Sequence, residues 1–316
     1  DKNDKWNKKP TPEEVGFTTT SANIGAASSS ANTGAGKVKC ASAKQGAKAA
    51  KKKNSSPDSD RDTTQQAGGR LQPIAASVLM KILYGARMAR YDLLRATCRL
   101  ASHVNSWTPE CDLRLHRLIC YIKSSLNKRM IGWVGDDIQN VAPHLYADAD
   151  LAGCERTQRS TSGGHLAIEG KNTRFPLIGK SNRQTCTSSS TPEAEIVSGH
   201  SAYKNILIPA LDLWELLLPE GLNAIFHEDN TAMIRVIQTG RNPTMKHLHR
   251  VHGVAIAFLH ERLTLPDTKD PVSIIYEESS KMAADIYTKA FTTDIIRWKN
   301  ACELINMYDL EDISSM

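Results

Sequence analysis

Residues 144–153 read His-Leu-Tyr-Ala-Asp-Ala-Asp-Leu-Ala-Gly. The run His144–Leu151 predicts a short strand, and on a strand side chains two apart share a face, so Asp148 and Asp150 point the same way. A carboxylate inside a strand is costly unless it meets a cation. Working outward, Gly164–Ile168 and Arg174–Ile178 predict two further strands, separated by Gly, Ser and Asn clusters. Thr191 followed by Pro192 reads as a helix cap with proline at the first position. A second helix is expected over Lys204–Leu218, a fourth strand over Ala224–His227 and a short helix over Thr231–Gln238. A long amphipathic helix over His247–Leu263, a fifth strand over Val272–Tyr276 and a last helix over Met282–Phe291 follow. This order predicts an α/β chain with a mixed five-stranded sheet flanked by helices.

Four acidic residues occupy telling places in that order. Asp148 lies in the first strand, Glu195 in the first turn of a helix, Asp229 where the fourth strand ends, and Asp285 in the first turn of the last helix. Taken singly, Asp229-Asn230 is a turn and cap signal, and Asp285 is an acid complementing a helix dipole. Taken together, they are hard oxygen ligands arriving from separate elements, which is what Mg²⁺ requires.

Several segments carry a family resemblance, in order along the chain. Tyr146–Gly153 resembles the Y-x-D-A-D-W-A-G opening of the type 1 ribonuclease H domains that end copia-like retrotransposon polyproteins. Arg159–Gly164 is similar to their R-S-T-S-G segment, Lys180–Gln184 to the S-K-x-Q region, and Ser189–Ile196 to the S-T-x-E-A-E-Y helix start. Asp229-Asn230 matches the D-N pair, Lys246-His247 the K-H segment, and Ala284–Ala290 the A-D-I-F-T-K-A ending. Leu151 stands where the family has an aromatic residue, and Ile196 where it has tyrosine.

The resemblance implies a ribonuclease H-like domain over residues 140–291. It also implies a catalytic and metal-holding set of Asp148, Glu195, Asp229 and Asp285, with two Mg²⁺ ions for which Mn²⁺ can substitute. The activity implied is endonucleolytic hydrolysis of the RNA strand of an RNA–DNA hybrid, beside the reverse-transcriptase part of a polyprotein. Asp150 is expected to assist electrostatically and not as a core ligand. Nucleic-acid contacts are expected from Lys180, Arg183, Gln184, Asn230, Lys246 and His247. In His247-x-His249-x-x-His252 the last two share a helix face, but no ligand spacing supports zinc. A second reading stays open: a decayed or repurposed retroelement remnant that binds nucleic acid or protein without cutting. A third is another nuclease or transposase of the same superfold.

The rest of the chain is plainer. Of 40 basic and 34 acidic residues, 13 and 7 fall in residues 1–70, so the remainder is balanced and the excess charge sits on the arm. That arm, with Lys51-Lys52-Lys53, has too few large aliphatic residues to offset its ordering entropy and is expected to be disordered. Residues 71–135 have helical spacing (Leu79, Ile82, Leu83, Ala86; then Leu115, Leu118, Ile119, Ile122), with Thr108-Pro109 opening one helix, and resemble the connection that precedes these domains. Residues 292–316 are expected to form a helical tail. No Y-x-D-D polymerase motif is present. Seven cysteines, odd in number and without a C-x-x-C pair, suggest reduced thiols and an intracellular setting, in a cytoplasmic particle or the nucleus. The most apolar run, Ile206–Leu218, contains Asp212 and Glu215 and is too short to span a bilayer. No membrane partner or small-molecule cofactor is expected.

Overall fold

Asp148 is carried by the central strand of a five-stranded sheet, and that position follows from the sequence around it. The computed structural model describes residues 68–217, 223–242, 244–291 and 294–313, all within the unit Thr63–Met316. The expected disordered arm falls on residues 1–70, of which 1–67 lie outside the described residues. The sheet strands are β2 (Ala142–Asp150), β3 (Thr161–Glu169), β4 (Arg174–Arg183), β5 (Ala224–Glu228) and β6 (Val272–Tyr276). They are ordered β4-β3-β2-β5-β6, with β2–β3 and β3–β4 antiparallel and β2–β5 and β5–β6 parallel. The expected α/β architecture with a mixed sheet is therefore present.

A strand covered on both faces reads as a nearly continuous apolar run, and β2 is buried at six of its nine positions. On one face, α4 (Thr191–Ala202) lays Ile196 and Ala202 against Leu145, Ala147 and Leu166. Its chain continues through a π-turn at Tyr203–Leu207 into α5 (Ile208–Leu217). Beside these pack α6 (Thr231–Thr239), α7 (Leu248–His252) and α8 (Ile256–Thr264), which contribute Met233, Ile237, Leu248 and Leu259.

On the other face a second core joins the chain's described ends. α1 (Gln72–Ala89), α2 (Leu94–Ala101) and α3 (Pro109–Ser124) supply Leu79, Leu94, Leu100, Leu115 and Leu118. The 3₁₀ turn Ala283–Tyr287 and α9 (Ile295–Leu304) add Ile286, Tyr287 and Cys302. Strand β1 (Lys128–Met130) pairs antiparallel with β7 (Met307–Asp309), and α10 (Leu310–Ile313) follows. The connecting helices and the C-terminal segment thus share one core, and the tail holds a strand as well as helices.

Several boundaries differ from expectation, each for a local reason. The helix expected over His247–Leu263 is two helices, because Gly253 adopts φ +67° and closes the first of them. The one expected over Met282–Phe291 is only a five-residue 3₁₀ turn. Ser190, not Thr191, caps α4: its side chain accepts from the Glu193 amide, and Pro192 falls one position later than expected. β4 runs on to Arg183, so Lys180 lies in a strand. No described helix is long and apolar enough to cross a membrane.

Candidate metal centre and nucleic-acid interface

Three chain-distant segments bring their acids to one end of the central strands. Asp148 stands near the end of β2, and Asp229 directly follows β5, the parallel neighbour of β2. Asp285 comes from the 3₁₀ turn, which can approach only because β3 carries Gly163 opposite Asp148. A Cβ on Gly163 would stand 2.7 Å from Thr288 Cγ2 and 2.9 Å from the Ala284 carbonyl oxygen. Any side chain there would push the turn, and Asp285 with it, off the sheet.

One carboxylate oxygen from each of Asp148, Asp229 and Asp285 lies within 4.8 Å of the others. Ligand oxygens on a single hard cation are separated by at most about 4.2 Å for Mg²⁺ and about 5 Å for Ca²⁺, twice the metal–oxygen distance. The trio is therefore close enough to converge on one such ion with a modest contraction. Asp148 and Asp285 are buried and Asp229 is half-buried. Glu195 is also buried, outside that trio but close enough for Asp148 and Asp229 to act on its charge. Its Oε2 is buried without a hydrogen-bond partner, as is Oε2 of Glu228. The orphaned Glu195 oxygen beside the three others makes an all-oxygen donor set suited to a hard divalent cation.

Electrostatics show what the centre costs without a cation. Burial, then repulsion from Asp148, Glu228 and Asp229, pushes Glu195 up to about 11. Burial and then Asp148 push Asp285 up to about 6, with Lys289 pulling the other way. Burial raises Asp148 too, against the nearby Lys289. Each shift means that the metal-free carboxylates resist being charged together.

Polar neighbours fix these groups. The Thr288 hydroxyl donates to Asp148 Oδ2, Ser198 Oγ donates to the Asp148 carbonyl at 2.7 Å, and Ser279 Oγ donates to Asp229 Oδ2 at 2.7 Å. Lys289 Nζ lies 2.6 Å from Asp285 Oδ1 and 3.4 Å from Asp148 Oδ1. Asp150 also accepts from the Thr161 amide, tying the end of β2 to the start of β3.

Sequence reasoning missed Glu228. It is fully buried at the end of β5, and burial raises its carboxyl well above the ordinary range. An acid at the end of an otherwise apolar strand, next to Asp229, was the available signal.

The residues expected to touch nucleic acid divide into two groups. Lys246 and Arg183 are exposed, and Lys180 is half-buried on edge strand β4. Gln184 is buried: its amide donates to Ser162 Oγ at 3.0 Å and to the Ala194 carbonyl at 2.9 Å, so it fastens α4 to the sheet. Asn230 caps α6, accepting from the Ala232 and Met233 amides at 3.0 and 3.1 Å. His247 Nε2 lies 3.1 Å from Glu193 Oε1, and the buried His252 contacts the same oxygen at 2.9 Å, pinning the 244–252 segment to the start of α4. His249 remains exposed.

No protein-family model and no curated protein matches the chain. Among solved structures, it is similar to a ribonuclease H1 isolated from compost by a metagenomic approach, with 16% identity over 46% of this chain and 92% of that one and a TM-score of 0.30. It is also similar to the protease-reverse transcriptase of prototype foamy virus, with 14% identity over 55% of this chain and 21% of that one and a TM-score of 0.29.

Proposed function

We propose that residues 140–291 form a ribonuclease H-like nuclease that hydrolyses the RNA strand of RNA–DNA hybrids with divalent cations, as part of a copia-like retroelement polyprotein. One observation carries the reading: oxygens of Asp148, Asp229 and Asp285, from three separate segments, lie within 4.8 Å of one another. The ordered series of motifs around them supports it. Asp148, Asp229, Asp285 and Glu195 are the residues that would hold two Mg²⁺ ions, or Mn²⁺ in their place. When bound, such ions activate a water and stabilise the leaving oxygen of a phosphodiester.

The protein's own residues then have definite tasks. Thr288 and Ser198 set the position of Asp148, the first through its carboxylate and the second through its carbonyl. Ser279 orients Asp229. Lys289 supplies the local positive charge beside Asp148 and Asp285. In the reaction, water oxygen bonds to phosphorus, the bond from phosphorus to the 3′ oxygen breaks, and the departing oxygen takes a proton. Preference for a hybrid would rest on 2′-hydroxyl contacts to one strand, with little base readout.

The test is cleavage of a labelled hybrid in Mg²⁺, beside duplex RNA and duplex DNA, with EDTA as control. Cutting confined to the RNA of the hybrid, and lost in EDTA, is the expected result. Binding of the hybrid without cutting would put the non-catalytic remnant in its place.

A further inference from the structure

Away from the acidic centre, a cavity of about 390 Å³ opens where α2 and α3 meet the loop that follows β2. Arg99, His103, Trp107 and Arg114 line it from the helical side, and Cys154 and Arg156 from the loop. Arg156 Nη1 donates to Ser106 Oγ at 2.8 Å, which bridges the two walls. Two acids also line the cavity, Glu110 and Glu155. Glu110 is engaged with Arg114 at 2.5 Å in an exposed i,i+4 pair, a weak interaction that an anion can displace. Among the described residues, neither Arg99 nor Arg156 is ion-paired, so two guanidinium forks are left for an oxyanion.

The field in this pocket is positive. Burial, then the charges of Arg156, Arg114, Arg99 and Arg183, holds His103 below its ordinary value. At Cys154 burial raises the thiol, while hydrogen bonds from Thr157, the Arg183 side chain and the Arg156 backbone bring it below the usual thiol value. Arg183, exposed at the end of β4, thereby links the pocket to the sheet edge.

The pocket is also connected to the acidic centre by one helix. Arg95 Nε donates to the Thr288 carbonyl at 2.6 Å, and the hydroxyl of Thr288 donates to Asp148. Arg99 is one turn further along α2, about 6 Å away, and His103 about another turn beyond. Successive phosphates of one strand advance about 3.4 Å along the duplex axis, so the reach of Arg95 to Thr288 together with a turn of α2 beyond Arg95 sets the pocket several nucleotides from the centre.

We propose that this pocket holds a backbone phosphate of a nucleic-acid strand whose neighbouring segment lies across the acidic centre. This rests on the nuclease reading for the strand's path, but the contact itself needs binding only, not cleavage. The helical segment then acts as part of the substrate platform as well as a partner in the core. Because Arg99 and Arg156 grip phosphate and not base edges, the contact fixes register along the strand without reading sequence.

The experiment uses the full chain with Arg99→Gln, Arg156→Gln and the double variant. Affinity for an 18-base-pair hybrid (about 60 Å long, several times the span from centre to pocket) is measured in Ca²⁺ over a salt series. The double variant should bind at least about ten-fold more weakly at moderate salt, and its log–log salt slope should be shallower by about 0.9, the value for one lost phosphate. A hybrid too short to span centre and pocket should show no such loss. Arg→Lys at both positions should restore the slope, and if the melting temperature of the double Gln variant falls, the two single Gln variants, each expected to lose part of the slope, replace it. An unchanged slope in the double variant overturns the proposal while leaving the nuclease reading standing. A wild type that binds hybrid but does not cut defeats the nuclease reading alone, and the slope still decides the pocket. A wild type that binds no nucleic acid defeats both. Protection of the pocket by inorganic phosphate, with an unchanged hybrid slope, would assign it to a free anion and overturn the backbone contact.

Discussion

Lys289 Nζ bridges Asp285 and Asp148, at 2.6 and 3.4 Å, so the acidic centre carries its own internal cation. Burial lowers the affinity of this amine for its proton, but Asp148 and Asp285 more than offset that and keep it charged. A fixed positive charge beside the carboxylates opposes an incoming divalent ion. Lys289→Gln should therefore tighten Mn²⁺ binding, read by titration calorimetry, by roughly three- to ten-fold, the size expected for a partly exposed pair. It should also lower the melting temperature in EDTA, because the carboxylates lose their closest cation. Arg297 pairs with Asp285 at 3.7 Å from a more exposed position, so it offsets only part of the loss. Weaker Mn²⁺ binding in the variant would show that Lys289 positions a ligand and does not compete for the site.

Asp229→Asn separates metal holding from folding. Asp229 is half-buried, follows a strand end, and accepts from Ser279, a bond the amide oxygen of Asn can still accept. Cleavage should fall by at least about a hundred-fold, since one ligand of the centre is gone. The melting temperature in EDTA should hold or rise, because one source of repulsion among buried acids is removed. Hybrid affinity in EDTA should hold or rise for the same reason. Near wild-type cutting would place the reaction elsewhere, and an unfolded variant would make Asp229 a structural residue.

Much of this was legible in the sequence, and the reasons differ by residue. Strand β2 announced Asp148 because an acid inside an apolar run is tolerated only where a cation or a donor meets it. Asp229 and Asp285 were legible only as members of a series, since each alone is an ordinary helix-start acid. Gln184 and Asn230 looked like substrate contacts because polarity in a motif does not say which way a side chain points. The structure turns Gln184 inward to the Ala194 carbonyl and spends Asn230 on the orphan amides of α6. The pairing of β1 with β7 was not legible, because three-residue strands about 180 positions apart carry no periodic signal. The break at Gly253 was marked by glycine itself, but the apolar spacing on either side hid it.

The metal-free centre should make stability fall as pH rises above neutrality. Glu195 is raised in the folded protein to about 11, so between its unfolded value near 4.5 and that value the folded state binds the extra proton. Its contribution is complete below the unfolded value and is lost progressively on the way up, at about 1.4 kcal/mol per pH unit for one proton. The window to use is about pH 7 to 8.5. Below it, buried His165 and His144, depressed to about 3 and about 4, act in the opposite direction by favouring the unfolded state as they protonate. Over this window the melting temperature in EDTA should drop by about 4–8 °C, given roughly 2–4 °C per kcal/mol at this size. Saturating Ca²⁺ should flatten the drop, and Glu195→Gln should reduce it. A flat profile in EDTA would mean that Glu195 is already ionised without metal.

Glu228 poses the sharper question about which acids belong to the centre. Its Oε1 accepts from the Asn230 amide at 3.2 Å, while Oε2 is buried without a partner. Burial is the first cause of its raised value, and Asp229 and Asp148 add to it, so in the metal-free protein the group favours its protonated form well above the ordinary carboxylate range. A neutral acid hydrogen-bonded to backbone is close in shape and charge to an amide. Glu228→Gln should therefore leave the melting temperature in EDTA unchanged or higher, and cleavage within about three-fold of wild type, in contrast to Asp229→Asn. Glu228→Ala should instead destabilise by about 2–4 kcal/mol, because it leaves a cavity and an unpaired amide at the base of α6. Loss of cleavage in Glu228→Gln, with its melting temperature intact, would make Glu228 a ligand in the metal-bound state and enlarge the centre from four carboxylates to five.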